Sequence, residues 1–135
     1  MADAETTFEG LRAELFVADV ERSKRFYVDV LGFTVLRTAP DGYVALGRQR
    51  AHLGLNPVAG LPSGHPVRPS PGERVGLGVE LVLMVADVAA AHDLAMASGA
   101  GGVSALRRQS WGLTDFRLQD PDGYYVRVTG LSATP

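Results

Sequence analysis

The chain has 135 residues, a formal charge of −2 at pH 7 and no cysteine. This length suffices for one hydrophobic core, and the lack of cysteine excludes a disulfide framework and thiolate chemistry. The charge balance gives no electrostatic basis for binding nucleic acid or a membrane surface, and no apolar run approaches the roughly 20 residues that span a bilayer. Because the acidic amino end also lacks an apolar signal sequence, we expect a cytoplasmic protein.

The predicted elements begin after a polar amino-terminal segment, residues 1–9. Residues 11–18 alternate apolar and polar side chains, which predicts a strand. Asp19 then precedes apolar residues at helical spacing that end at Gly32. This pattern predicts a helix whose first free N–H groups are capped by the Asp19 carboxylate. Three further strands are predicted, at residues 33–38, 43–46 and 51–56.

A proline-rich segment separates this unit from a second one. Residues 57–72 contain five of the eight prolines, which excludes a helix or a central strand and predicts an exposed connection. The second unit is predicted to have a strand at residues 75–85, a helix at 88–98 and strands at 103–108, 113–119 and 124–130. Residues 120–123, Asp-Pro-Asp-Gly, predict a turn, because Pro presets the first central position and Gly tolerates positive φ.

The two units repeat one strand-to-helix junction. Residues 17–20, Val-Ala-Asp-Val, recur as residues 85–88, which is 68 positions later. We therefore predict a single domain over the whole chain, made of two fused strand–helix–three-strand modules at residues 10–56 and 75–131 with a connection at 57–74. Each module alone would bury only a marginal core, so the modules are expected to pack together or to exchange with another chain.

Four segments of the sequence carry a family resemblance. They are residues 16–23 (Phe-Val-Ala-Asp-Val-Glu-Arg-Ser), 26–33 (with Phe26-Tyr27 and Leu31-Gly32-Phe33), 111–116 (with Trp111-Gly112 and Phe116) and 120–124 (Asp-Pro-Asp-Gly-Tyr). In order and separation they resemble the vicinal-oxygen-chelate superfamily, which includes glyoxalase I, extradiol dioxygenases and bleomycin-resistance proteins. The resemblance implies an α+β fold in which two βαβββ modules form a pair of half-barrels around a central cleft. It also implies a homodimer, in which modules are often exchanged between chains.

In the metal-dependent members of that superfamily, the first and last strands of each module supply four metal ligands. The resemblance places these positions at Arg12, His52, Glu80 and Arg127, with Gly54 as the alternative to His52. A guanidinium has only donors and stays protonated, so two Arg at such positions would repel a divalent cation. Only His52 and Glu80 remain as ligands, which is fewer than a catalytic zinc site uses. We therefore expect no metal and no cofactor.

Two interpretations of these four positions stay open at the level of sequence. Glu80 could pair with Arg12, with Arg127 or with both, so that the cleft is filled by its own ion pairs. Alternatively, one Arg remains available to hold an anionic or carbonyl-bearing ligand, and Glu80 orients that ligand.

Aromatic residues supply further candidates for a ligand-binding site. Trp111 is the only tryptophan and precedes Gly112 at the start of a predicted strand. It would either pack between the modules or stack on an aromatic or cationic ligand. The side chains expected to form apolar walls are Phe16, Tyr43, Phe116 and Tyr125.

Three functional hypotheses follow from these residues. The first is a small-molecule-binding protein of the bleomycin-resistance type, which sequesters a ligand such as an antibiotic without metal. The second is a lyase, isomerase or dioxygenase-like enzyme that uses His52 and Glu80, with or without metal, and Glu14 is another candidate base at the ligand site. The third is a module that only pairs with a partner, with a cleft closed by Arg12, Glu80 and Arg127. The sequence leaves open whether the protein is an enzyme.

Overall fold

A computed structural model describes residues 4–131 of the chain. The elements of its first half are β1 (Ala13–Val17), α1 (Val20–Asp29), β2 (Thr34–Thr38), β3 (Val44–Arg48) and β4 (Ala51–Pro57). Those of its second half are β5 (Glu80–Val85), α2 (Val88–Ala97), β6 (Arg107–Arg108), β7 (Thr114–Gln119) and β8 (Tyr125–Gly130). Short 3-10 turns lie at Ala4–Thr6 and Val58–Gly60. Within the described residues, neither helix has the length and apolarity needed to cross a membrane.

Each half forms a four-stranded sheet with the same topology. The first sheet has the strand order β1-β4-β3-β2, and the second has the order β5-β8-β7-β6. The first and last strands of each half are parallel, and the other pairs are antiparallel. The helix after the first strand returns the chain to the same end of the sheet, which allows the first and last strands to run parallel. The later strands are joined by short turns, which make them antiparallel. The predicted α+β class with two βαβββ units is confirmed.

Both helices begin at the predicted Asp caps. The side chain of Asp19 accepts a hydrogen bond from the backbone N–H of Arg22 at 3.1 Å. In the same way, Asp87 accepts from the N–H of Ala90 at 3.0 Å. The repeated junction is therefore a repeated capping interaction, and both cap predictions are confirmed.

Two predicted strands are shorter by four or more residues than their sequence patterns indicated. The strand predicted from residue 75 begins only at Glu80, because Gly76 and Gly78 adopt positive φ angles and turn the chain before it. The strand predicted from residue 103 is reduced to Arg107–Arg108. At Ser104 the side-chain hydroxyl accepts a hydrogen bond from the N–H of Arg117 at 2.8 Å. A side chain thus replaces the backbone carbonyl that would continue the hydrogen-bond ladder with β7.

One hydrophobic core joins the two halves. Apolar side chains from both sheets and both helices form a single buried cluster. Leu15 and Leu55 contribute from the first sheet, and Phe116 and Val126 contribute from the second. Because successive strand residues point to opposite faces, each sheet also has an outer face that is directed away from this core.

The turn at residues 120–124, here named the docking turn, connects the second half to the β1–α1 junction. Its predicted geometry is confirmed, since the N–H of Gly123 donates to the carbonyl of Asp120 at 2.9 Å and Gly123 has positive φ. Tyr124 donates its hydroxyl to the carbonyl of Phe16 at 2.9 Å and accepts from the N–H of Phe16 at 3.2 Å. Asp122 accepts from the N–H of Ala18 at 2.9 Å.

A buried hydrogen bond lies beneath the docking turn. The hydroxyl of Tyr27 on α1 donates to the carboxylate of Asp120 at 2.8 Å, and the Tyr27 side chain is fully buried. Burial raises the pKa of the Tyr27 phenol, so the group stays protonated and remains a donor. Burial also raises the pKa of Asp120, although hydrogen bonds from Tyr27, Tyr124 and Asp122 act in the opposite direction.

We expect Tyr27→Phe to lower the free energy of unfolding by about 1–2 kcal/mol, because it leaves the buried Asp120 carboxylate without one donor. Urea denaturation measures this change. The matched control is Tyr43→Phe, which removes a hydroxyl from a more exposed tyrosine and should cost less than about 0.5 kcal/mol. Equal effects of the two substitutions would contradict a structural role for the Tyr27–Asp120 bond.

Candidate functional site

The outer face of the first sheet carries a polar cluster centred on Glu14. Its carboxylate accepts from Arg12 Nε at 2.9 Å, from the Tyr43 hydroxyl at 3.2 Å and from Asn56 Nδ2 at 3.0 Å. The carboxylate lies over Gly54, the register partner of Glu14 on β4. A Cβ atom at Gly54 would be only 1.7 Å from Glu14 Oε2, so glycine is what allows this position of the carboxylate.

The Glu14 carboxylate also affects Tyr43. Burial, and after it the charge and hydrogen bond of Glu14, raise the pKa of the Tyr43 phenol. The guanidinium of Arg37 lies 5.4 Å from the centre of the Tyr43 ring, within the range of a cation–π contact. The first sheet therefore presents one carboxylate surrounded by donors, with an aromatic ring and a second cation beside it.

The strand register relates Gly54, rather than His52, to Arg127 in the internal repeat. Glu14 pairs with Gly54, and Val82, which lies 68 residues after Glu14, pairs with Arg127. Gly54 is therefore the counterpart of Arg127 in the internal repeat. His52 is exposed and pairs with Gly47 of β3.

The outer face of the second sheet carries two Arg–carboxylate pairs. Arg127 on β8 contacts Glu80 on β5, with Nε 3.0 Å and Nη2 2.8 Å from the same oxygen. Arg117 on β7 is the direct cross-strand neighbour of Arg127. It contacts Asp115 at 3.4 Å and the Tyr125 hydroxyl at 3.5 Å.

Of the four positions named from the family resemblance, only Glu80 and Arg127 contact each other among residues 4–131. Glu80 pairs with Arg127, as one interpretation of the sequence had it, whereas Arg12 pairs with Glu14 and not with Glu80. Across residues 4–131, no hydrogen bond or ion pair joins Arg12 or His52 to Glu80 or Arg127.

These residues do not fit a divalent metal ion. Within the described part of the chain, no group of three or more His, Asp or Glu side chains comes together in a way that could hold one. Arg12 and Arg127 offer only donors, and Gly54 has no side chain to contribute. The remaining carboxylate, Glu80, already pairs with a guanidinium.

The aromatic candidates occupy different environments. Phe16, Tyr43 and Tyr125 are partly buried, and Trp111 is 52% exposed in the turn before β7. Phe116 was expected to form an apolar wall, and this prediction needs correction. Its side chain is fully buried in the core with its ring against His92, because the alternation along β7 directs it away from the outer face.

The structure also shows a cavity on the second sheet that the sequence analysis did not identify. It has a volume of about 440 Å³, and its polar lining includes Arg107, Gln109, Asp115 and Arg117. The signal in the sequence was the polar alternation Asp115, Arg117, Gln119 along β7, which indicates a second polar face. A larger apolar groove of about 740 Å³ lies between the halves, along β5 and α2.

Comparison with known proteins gives a family match. Residues 11–128 match the profile described as the Glyoxalase/Bleomycin resistance protein/Dioxygenase superfamily. No curated protein matches the chain.

Several solved structures have the same fold. TioX from Micromonospora sp. ML1 has a TM-score of 0.74 at 20% identity, and the match covers 91% of this chain and 98% of TioX. TnmS3, an antibiotic binding protein from Streptomyces sp. CB03234, has a TM-score of 0.68 at 23% identity, with coverages of 93% and 97%. Lactoylglutathione lyase from Agrobacterium tumefaciens has a TM-score of 0.68 at 21% identity, with coverages of 96% and 96%. At such identities the similarity shows the fold alone.

Substitution of Glu14 tests the electrostatics of the first outer face. We expect Glu14→Gln to lower the pKa of Tyr43 toward the ordinary phenol value of about 10, because the negative charge beside the hydroxyl is removed. A pH titration of ¹³Cζ-labelled tyrosine by NMR measures the shift. Glu73→Gln removes an equal charge from the exposed connection and should leave the Tyr43 pKa unchanged. An unchanged pKa in the Glu14 variant would contradict the contact.

Proposed function

The chain belongs to the Glyoxalase/Bleomycin resistance protein/Dioxygenase superfamily, and on that premise we propose that it is a metal-independent small-molecule-binding protein that sequesters its ligand. The observation that carries this proposal is the contact between Glu80 and Arg127. The Glu80 carboxylate, at a position where metal-dependent relatives place a ligand, is held at 2.8 Å by a guanidinium. A carboxylate neutralised in this way is a poor ligand for a divalent ion, and the guanidinium repels one.

The outer faces of both sheets support a ligand with polar and aromatic parts. On the first sheet, Arg12 has a side chain that is 59% exposed and can contact a ligand in addition to Glu14. On the second sheet, Trp111 offers an exposed ring for stacking. Phe16, Tyr43 and Tyr125 would supply partly buried walls, which suits a pocket that is largely apolar with a few polar anchors.

An antibiotic is the first class of ligand to test. TnmS3, which has the same fold, is described as an antibiotic binding protein. We extend that property to this chain as a proposal, with resistance by sequestration in the cytoplasm as its biological role. The enzyme alternative has less support, because His52 is exposed without a hydrogen-bond partner among residues 4–131 and Glu80 is occupied by Arg127.

A homodimer would bring the two outer faces together. In one chain the Glu14 cluster and the Glu80–Arg127 pair lie on separate sheets with no bond between them across the described residues. β1 and β5 are both edge strands of their sheets. On β5, Val82 and Met84 are 38% and 66% exposed and line the apolar groove. We propose that the first-sheet face of one chain and the second-sheet face of another form each ligand cleft.

In this dimer, each chain is one domain. Its modules, residues 10–56 and 75–131, would contribute to different clefts, and the connection at residues 57–74 would allow modules to be exchanged between chains.

Calorimetric titration with a panel of antibiotics, combined with metal analysis of protein purified without chelator, tests the binding proposal. We expect saturable heat for at least one compound, unchanged by EDTA, and only trace metal. Arg127→Gln should weaken that binding, whereas Arg25→Gln, an exposed position on α1, should not. Near one equivalent of Fe, Mn, Ni or Zn per chain, together with turnover of a substrate, would contradict the proposal.

The dimer is tested by the substitution Met84→Glu. We expect wild-type protein to have twice the chain mass by light scattering, and we expect the variant to shift toward monomer, because a charge is placed on the proposed apolar contact. Met96→Glu on α2, where the side chain is 54% exposed, is the matched control and should stay dimeric. A monomeric wild-type protein would contradict this part of the proposal.

A further inference from the structure

Two like charges stand side by side on the outer face of the second sheet. Arg117 and Arg127 are direct cross-strand partners in the antiparallel β7–β8 pair. Like charges in directly opposed positions destabilise a sheet, so each guanidinium needs an anionic partner nearby. Arg127 has one, because Glu80 contacts it at 2.8 Å. Arg117 has Asp115 as its partner, but at the longer distance of 3.4 Å.

Arg117 is only loosely held by its own neighbours. Its contacts are 3.4 Å to Asp115 and 3.5 Å to the Tyr125 hydroxyl, whereas a charge-assisted N–H···O bond is usually about 2.7–2.9 Å long. A guanidinium also has more N–H donors than these two contacts use. The side chain is 33% exposed. Arg117 therefore retains donors for a further acceptor.

Asp115 is a buried carboxylate that positions the other residues of this site. Its side chain is 2% exposed, and its two oxygens accept from Gln109 Nε2 at 3.0 Å and from Arg117 at 3.4 Å. Because both oxygens are engaged and enclosed, the carboxylate serves to orient Gln109 and Arg117. The second N–H of the Gln109 amide stays available as a donor.

Arg107 adds a second guanidinium to the same cavity. It is the register partner of Asp115, and it is exposed. Among residues 4–131 its side chain forms no hydrogen bond or ion pair. The cavity lining thus carries two guanidiniums and one buried carboxylate, a positive balance in a chain whose net charge is −2.

We infer that this cavity binds an anionic oxygen group, a carboxylate or a phosphate, through Arg107, Arg117 and the Gln109 amide. This assignment rests on the proposed function, since it names the ligand class that the second sheet would select. The cavity volume of about 440 Å³ accommodates such a group with its attached fragment. A planar guanidinium suits either anion, because it donates two parallel hydrogen bonds.

Trp111 provides a reporter for this cavity. It is the only tryptophan, and the turn that carries it is closed by a hydrogen bond from the N–H of Gly112 to the carbonyl of Gln109. The full-length protein is therefore titrated with inorganic phosphate and, separately, with benzoate, at constant ionic strength set by sodium chloride. Tryptophan fluorescence is recorded throughout.

We expect a saturable fluorescence change with at least one anion. The anion that produces the change shows whether the ligand carries a phosphate or a carboxylate. Arg117→Gln and Arg107→Gln should each weaken binding by about tenfold or more. Arg25→Gln, with the same change in charge on α1, should bind as wild type. Arg117→Gln removes the positive charge beside the buried Asp115 carboxylate and could therefore prevent folding. Arg107 is exposed, so Arg107→Gln still tests the inference in that case. Arg117→Lys should bind with intermediate affinity.

The inference is overturned if neither anion saturates, or if both Arg variants bind like wild type. Equal weakening by Arg25→Gln would also overturn it, since that result indicates only a general charge effect. If neither anion saturates while an antibiotic from the panel binds to the wild type, the inference fails and the proposed function stands. If the anion binds and both variants lose it while no antibiotic binds, the inference stands and antibiotic sequestration fails.

Discussion

The relation between the two halves depends on the hydrogen bonds of the docking turn. Asp120 accepts from the buried Tyr27, and Tyr124 forms two bonds with the backbone of Phe16. Neither half is large enough to bury an adequate core by itself, so contacts that hold the sheets together also hold the core together. The Tyr27–Asp120 bond is buried and the two Tyr124–Phe16 bonds are partly buried, and buried polar groups specify one arrangement because leaving them unpaired is costly.

The internal repeat extends to the strand order of the two sheets but not to these contacts. The strand register makes Ala51 the first-half counterpart of Tyr124. The repeat of 68 residues makes Ala91 and Ala95 on α2 the counterparts of Ser23 and Tyr27 on α1. At the β5–α2 junction, alanine therefore occupies the positions that carry hydroxyl-bearing side chains at the β1–α1 junction. The second junction has no equivalent of the docking turn and leaves the groove of about 740 Å³, which Ala51 and Ala91 line. The asymmetry of side chains thus creates the surface that we propose a second chain covers.

On the outer faces, the residue types differ from those that the family resemblance implies for metal-dependent members. Guanidinium groups at Arg12 and Arg127 each contact a carboxylate, and Gly54 contributes no side chain. The resulting surfaces offer hydrogen-bond donors rather than metal ligands, so they suit recognition of oxygen acceptors. This agrees with the view that a fold limits where a site can lie, whereas individual side chains determine what it does.

Much of the fold could be predicted from sequence, because its signals are local. Alternation defines β1, helical spacing defines α1, and Asp19 and Asp87 cap helices through contacts within one turn. The family resemblance also identified Glu80 and Arg127 as neighbouring positions. The pairing of Arg12 with Glu14, the core location of Phe116 and the cavity beside Arg117 could not be predicted in this way. The pairing of Arg12 with Glu14, which are two residues apart, and the location of Phe116 depend on which face each side chain takes, whereas the cavity depends on how β6 pairs with β7. Sequence alone determined the elements and the two-module plan, and only the tertiary structure decided that Glu80 meets Arg127, because that contact arises when β5 and β8 are packed side by side.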